Sequence, residues 1–126
     1  MCSDMKTIRI VLTAALVVGL TACGKQDPEA AARKQLRIEG MKLARLNGCV
    51  QCHDETGSVV GPTWREVSQR YRNVPQAREI LIASVTDGSA GKWADITKGA
   101  RMPPYGKRVT DEHIRKIVDY ILSIAR

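Results

Sequence analysis

Cys49-Val50-Gln51-Cys52-His53 is the stretch from which the fold of this 126-residue chain can be read. Cys-x-x-Cys-His is the attachment signature of c-type haem: two thiols add to the vinyl groups of the porphyrin, and the histidine ligates iron. Two residues between the thiols let one helical turn reach both vinyl groups while the adjacent imidazole is carried beneath the metal. A Cys-x-x-Cys pair also serves thioredoxin-like redox sites, but those need a strand-helix-strand setting that this chain does not offer. A zinc site would need a fourth ligand, and no second Cys/His pair follows at regular spacing; His113 is the one other histidine.

Working outward, the N-terminal stretch reads as an export signal. Lys6 and Arg9 precede the apolar run 10–20, which fits a charged n-region and a short h-region and is too short to span a bilayer. The run ends in Leu20-Thr21-Ala22-Cys23-Gly24, which resembles a bacterial lipobox: residues 1–22 would be removed and Cys23 would become the acylated first residue. An ordinary signal peptide followed by a chance cysteine is the alternative. Met5 opens a more typical n-region than Met1 and is a candidate initiator. The four cysteines are then accounted for, because Cys2 leaves with the leader, Cys23 is acylated, and Cys49 and Cys52 hold haem. No disulfide remains to be assigned, and the expected compartment is exported and oxidising.

The length suits one domain. Three segments are expected: the leader 1–22, a tether with the helix start at 23–37, and a haem domain at 38–126. Net charge is +7, and loss of Lys6, Arg9 and Asp4 with the leader lowers it by one. A basic surface steers anionic partners over distance, an effect that salt weakens. Nucleic acid is not expected as a partner, since the cations are scattered and the compartment is exported. The chain has no Phe, which is thin for a domain that must bury a core. A bound porphyrin would supply apolar mass.

The helical pattern is plain at both ends. Asp27-Pro28-Glu29 has the order of an N-cap, a first-turn proline and a first-turn acid, and the helix it opens should run to about Leu46 before Asn47-Gly48 stops it. Trp64, Val67 and Tyr71 suggest a short helix, and Pro75 a further one over 76–86 that closes at Asp87-Gly88-Ser89. Residues 91–106 read as loop. Thr110, Asp111 and Glu112 then open a last helix whose stripe of Ile114, Ile117, Val118, Ile121 and Leu122 must bury against a partner. The helix before the haem motif is the natural one, with Gly40 allowing a close crossing near Tyr120.

Three further residues are candidates for the haem site. Pro62, nine residues beyond His53, is the expected carbonyl acceptor for the histidine's second ring proton, against the plainer reading of a proline that ends a loop. Met102, stiffened by Pro103 and Pro104, is the expected sixth ligand, since thioether ligation favours ferrous iron. Met41 lies on the helix before the motif and would not readily reach the far face. Trp93 can donate its indole N–H to a haem propionate or serve as an ordinary core residue.

With these residues in view, the stretch from Ile38 to Ala125 resembles the class I monohaem cytochromes c, closest to the short bacterial type. The resemblance rests on Gly40, Gly48 to His53, Gly61-Pro62, Trp64, Gly91-Lys92-Trp93, Met102-Pro103-Pro104 and Val118 to Leu122. It implies an all-α fold of three to five helices around one covalently bound haem c, with the N- and C-terminal helices crossing. It implies thioether attachment at Cys49 and Cys52, axial ligation by His53 and Met102, Pro62 as partner of His53, and Trp93 as propionate donor. Two departures stand out: the stretch from Trp93 to Met102 is longer than in the shortest members, and Tyr105 follows the proline pair where a small polar residue is common.

The expected function is one-electron transfer by a monomeric, membrane-tethered cytochrome c, between a redox donor and acceptor of respiratory or denitrification chains. It is not expected to be an enzyme. Lys98, Arg101, Lys107 and Arg108 lie near the Met102 loop and would suit acidic docking surfaces, or simply keep the loop soluble. The alternatives are a haem enzyme or gas sensor with a displaceable Met102, and a haem subunit fixed in a larger membrane complex. The expected location is the periplasmic face of a bacterial membrane, with Gly24 after Cys23 compatible with outer-membrane sorting; a soluble periplasmic form is the alternative.

Overall fold

The computed structural model describes residues 27–57 and 60–125, so the leader and the lipidation candidate Cys23 lie outside the described residues. Among the described residues the chain forms five α-helices and one 3-10 turn: α1 Pro28–Leu46, the turn Cys49–Gln51, α2 Trp64–Tyr71, α3 Ala77–Asp87, α4 Ala94–Thr97 and α5 Asp111–Ser123. The all-α expectation is met. None of these helices is long and apolar enough to cross a membrane.

The capping chemistry explains where the long helices begin and end. The Asp27 carboxylate accepts from the Glu29 N–H at 3.0 Å, and Pro28 occupies the first turn, where a missing N–H costs nothing. At the other end Asn47 donates both its backbone N–H and its side-chain amide to the Leu43 carbonyl, at 3.0 and 2.8 Å. Gly48 then takes a left-handed conformation, φ 75°, which breaks the helix and turns the chain into the Cys49–Gln51 segment. α5 starts under the Thr110 hydroxyl, which accepts from the His113 N–H at 3.3 Å.

α1 and α5 cross as anticipated, with Gly40 as the contact point. A Cβ on Gly40 would collide with Tyr120 Cβ and the first atoms of its ring, so only glycine lets the two backbones come this close. Tyr120, Ile114 and Val118 are buried on α5, and Leu43 and Ala44 on α1. Two half-exposed ion pairs tie α5 to its neighbours, Lys116–Glu39 to α1 at 2.7 Å and Arg78–Asp119 to α3 at 2.6 Å. Pairs this accessible contribute about 0–1 kcal/mol each, so the buried apolar contact decides the packing.

The shorter helices differ in detail from the sequence expectation. α2 opens with a reciprocal capping box, in which Thr63 Oγ1 accepts from the Glu66 N–H and Glu66 accepts from the Thr63 N–H. α3 starts at Ala77, not Gln76, because Pro75 and Gln76 form a reverse turn closed by Ala77 N–H to Val74 C=O at 3.2 Å. Gln76 has φ 58°, the left-handed value a type II turn demands at that position and a helix cannot use. The expected loop 91–106 contains the single turn α4, which ends at Lys98 and Gly99, both with positive φ. The extra length between Trp93 and Met102 is taken up by this turn.

Candidate functional site

The 3-10 turn carries the two thiols. Cys52 and His53 both return their backbone N–H groups to the Cys49 carbonyl, at 3.2 and 3.0 Å, so one turn fixes the two cysteines and the histidine relative to each other. Cys49 and Cys52 are not joined to one another. Burial, reinforced by the neighbouring Cys52, pushes the Cys49 thiol up from its ordinary value. A thioredoxin-like site needs the opposite shift. Among the described residues no group of three or more His, Cys, Asp or Glu could hold a metal ion.

His53 is held from several sides. Its Nδ1 lies 2.8 Å from the Pro62 carbonyl oxygen, which can only accept, so Nδ1 carries the proton and Nε2 keeps the lone pair a metal requires. Gly61 N–H donates to the Cys52 carbonyl at 2.8 Å, bringing the Gly61-Pro62 segment back against the motif. A Cβ on Gly61 would stand 2.6 Å from His53 Cε1, so the imidazole occupies the space a side chain would take. Trp64 lies nearly parallel to the imidazole, with ring centroids 6.4 Å apart, and meets Tyr120 edge-on at 5.7 Å.

One residue of this support escaped the sequence reading. The Glu55 carboxylate accepts two bonds from Arg37 Nη2, at 2.6 and 2.8 Å, and one from the Tyr120 hydroxyl at 3.0 Å. It thereby ties the segment just after His53 to both α1 and α5. Burial, and then the bond to Glu55, push the Tyr120 hydroxyl well above the ordinary tyrosine range. The segment is pinned again where Asp54 and Glu55 carbonyls accept from the N–H groups of Trp64 and Arg65, at 2.9 and 3.2 Å. Arg37 and Tyr120 lie 18 and 65 residues from Glu55 in the chain, so no local pattern signals the contact.

Met102 is positioned by backbone instead. It forms an isolated antiparallel bridge with Ser89, each N–H donating to the other's carbonyl at 2.9 Å. Gly88, with φ 83°, makes this possible, since a Cβ there would stand 2.8 Å from the Met102 carbonyl oxygen. Tyr105 and Gly106 donate to the carbonyls of Val85 and Thr86 at 2.9 and 3.1 Å, so the chain on both sides of Pro103-Pro104 is moored to the end of α3. Tyr105 also lies under the Arg108 guanidinium, 4.4 Å from its ring centroid. Trp93 is half-buried, with the Arg70 guanidinium 4.3 Å above its ring and Arg70 Nη1 donating to the Lys92 carbonyl at 2.8 Å.

These segments enclose one cavity. Cys49, Cys52, His53, Pro62, Trp93 and Met102 all line it, and it holds about 1240 Å³ of non-atom space, part of it open solvent at the mouth. Protein interiors are otherwise close-packed, so an open cleft bordered by Val67, Leu81 and Ile121 is shaped for an apolar group. Two unpaired thiols on its border, one imidazole nitrogen left for a metal and a thioether nearby fit a covalently attached haem. The haem-site residues read from the sequence thus line one cavity, while Met41 packs against the α1/α5 core and is not among the lining residues.

Comparison with known proteins agrees with this geometry. Residues 38–125 match the family model described as cytochrome c. Cytochrome c2 of Rhodocyclus tenuis is 35% identical over 82 residues, covering 65% of this chain and 88% of that protein. The crystal structure of wild-type Nitrosomonas europaea cytochrome c552 superposes with a TM-score of 0.61 at 30% identity, covering 67% of this chain and 98% of that one. The class 1 cytochrome MtoD from Sideroxydans lithotrophicus ES-1 gives 0.59 at 31% identity, over 71% and 96%. With the fold, the paired thiols and the cavity in agreement, the chain belongs to the class I monohaem cytochromes c, electron carriers rather than enzymes, and carries one haem c bound through Cys49 and Cys52.

Proposed function

We propose that this cytochrome c is exported, tethered to the periplasmic face of a bacterial membrane through an acylated Cys23, and passes single electrons between respiratory or denitrification partners. His53 and Met102 would hold the haem iron in this reading. The observation that carries it is that His53, with Nδ1 committed to Pro62, and Met102, pinned at Ser89, border the same cavity as the two thiols. When bound, the haem supplies a one-electron ferric/ferrous couple, and His/Met ligation raises its potential.

The chain's own residues contribute fixed geometry. The Pro62 carbonyl orients the His53 ring and strengthens its Nε2 as a donor. Trp64 and Gly61 leave the imidazole little room to rotate, so little reorganisation accompanies a change of charge at the site. Held by two protein side chains, the iron would have no open position for a substrate, which suits transfer. Trp93 and the Arg70 that covers it are suited to stabilise propionate charge at the cavity mouth. Lys98, Arg101, Lys107 and Arg108 are all exposed on the segment around Met102, which favours acidic partners approaching there.

The test is optical spectroscopy of the membrane-matured protein in both redox states, with a carbon monoxide challenge. A c-type reduced spectrum, a ferric sulfur-to-iron band lost in Met102→Ala, and no response to carbon monoxide are expected. A high-spin spectrum or ready carbon monoxide binding in the wild type would remove Met102 from the iron and the shuttle function with it. The mass of the protein extracted from membranes reports the acyl chains on Cys23.

A further inference from the structure

We propose that the outer face of α1 is a membrane-contact surface that rests on anionic phospholipid. The buried side of this helix is Gly40, Leu43 and Ala44. On the opposite side, Ala31, Lys34, Ile38, Lys42 and Arg45 follow one another at steps of three and four residues, so they share one stripe. All five are exposed. The stripe carries three cations and no acid. The two acidic residues of α1 are engaged elsewhere, Glu29 with Arg33 at 4.0 Å and Glu39 with Lys116 at 2.7 Å. Arg37 is likewise committed, to Glu55. Lys34, Lys42 and Arg45 have no ion pair among the described residues.

Ile38 sits between these cations and is 53% exposed. A β-branched apolar side chain surrounded by lysines on a solvent-facing stripe gains nothing from water, and at a headgroup layer it has an apolar boundary to enter while the cations meet phosphate. Leu46, 70% exposed, continues the stripe one turn beyond Lys42. Position in the chain points to the same occupant. The match to the cytochrome c family begins at Ile38, whereas α1 begins at Pro28, so the first half of the helix reaches back toward the N-terminus from the haem domain. Pro28 is five residues from Cys23. A helix starting that close to an acyl chain is held near the surface it would contact; this part of the argument rests on the proposed anchor. Contact along α1 would hold the domain in one orientation on the membrane instead of letting it swing from the tether.

The probe is sedimentation with vesicles of phosphatidylglycerol and phosphatidylethanolamine, against phosphatidylcholine alone, at low ionic strength. The protein is the haem-loaded chain from Gly24 onward, exported behind a leader that is cleaved without acylation, so the anchor plays no part in the reading. Binding to the anionic vesicles only is expected. Lys34→Gln/Lys42→Gln/Arg45→Gln should weaken it about 100-fold, at roughly a tenfold loss for each one to two cations. The control Lys98→Gln/Arg101→Gln/Lys107→Gln removes the same charge from the Met102 loop and should change it less than about threefold. An unchanged visible spectrum shows that both variants hold haem normally. Equal losses in the two triples, equal binding to both lipid mixtures, or no binding at all would overturn the proposal. Absence of acyl mass on the native protein would instead remove the anchor and leave the vesicle result to stand.

Discussion

The two segments that carry His53 and Met102 to the haem cavity are built on different principles. Around His53 side chains add to the backbone bonds of Gly61, Trp64 and Arg65: the imidazole on Pro62, the Trp64 and Tyr120 rings, and Glu55 gripping Arg37 and Tyr120. Around Met102 the support comes from backbone, through the Ser89 bridge and the bonds of Tyr105 and Gly106 to the end of α3. The first segment shares its contacts with the α1/α5 crossing, so it is as stable as the fold itself. The second hangs from one helix end and can loosen while the rest of the molecule stays folded.

Substitutions at the two glycines that each segment depends on should separate these behaviours. Gly40→Ala drives a methyl into Tyr120, and the overpacking should cost about 3 kcal/mol of global stability in denaturant titration, with ligation intact in whatever fraction is folded. A smaller effect is expected on the other side. Gly88→Ala places a side chain at φ 83° against the Met102 carbonyl, at about 2 kcal/mol, and the ferric sulfur-to-iron band should weaken before the helical signal does. If both variants lose band and helix together, the two segments are not independent.

A pH experiment sharpens the His53 side. Tyr120 has a folded-state pKa above its unfolded value, so the unfolded chain gives up this proton first as pH rises through about 10. The stabilisation is therefore complete below that pH and is lost above it, by up to about 1.4 kcal/mol for each pH unit. Tyr120→Phe should flatten this alkaline limb. The smallest change is predicted for Arg78→Ala, which removes the half-exposed pair with Asp119 and should cost no more than about 1 kcal/mol, leaving the spectrum unaltered.

The same division explains what could be read in the sequence. Helix starts at Asp27-Pro28 and Thr110, the stop at Asn47-Gly48 and the Gly40/Tyr120 crossing are signalled by residues adjacent in the chain or by a helical stripe. The approach of Pro62 to His53 is nearly local as well, nine residues apart and closed by a glycine. Glu55 was not legible, because its partners come from two other helices and an acid after a histidine carries no local signature. Nor was the Ser89–Met102 bridge, since a single pair of backbone bonds leaves no trace in side-chain pattern. Lys98 and Gly99, both left-handed, show why α4 looked like loop: the turn is too short to have a periodicity.

The bridge has one more consequence. By fastening residue 89 to residue 102, it closes the intervening chain into a ring whose two ends do not depend on what lies between them. Lengthening such a ring by a few residues costs only a fraction of a kcal/mol in closure entropy. Evolution can therefore add to or trim this arc, and change what it displays to visiting proteins, without moving the methionine that the arc delivers.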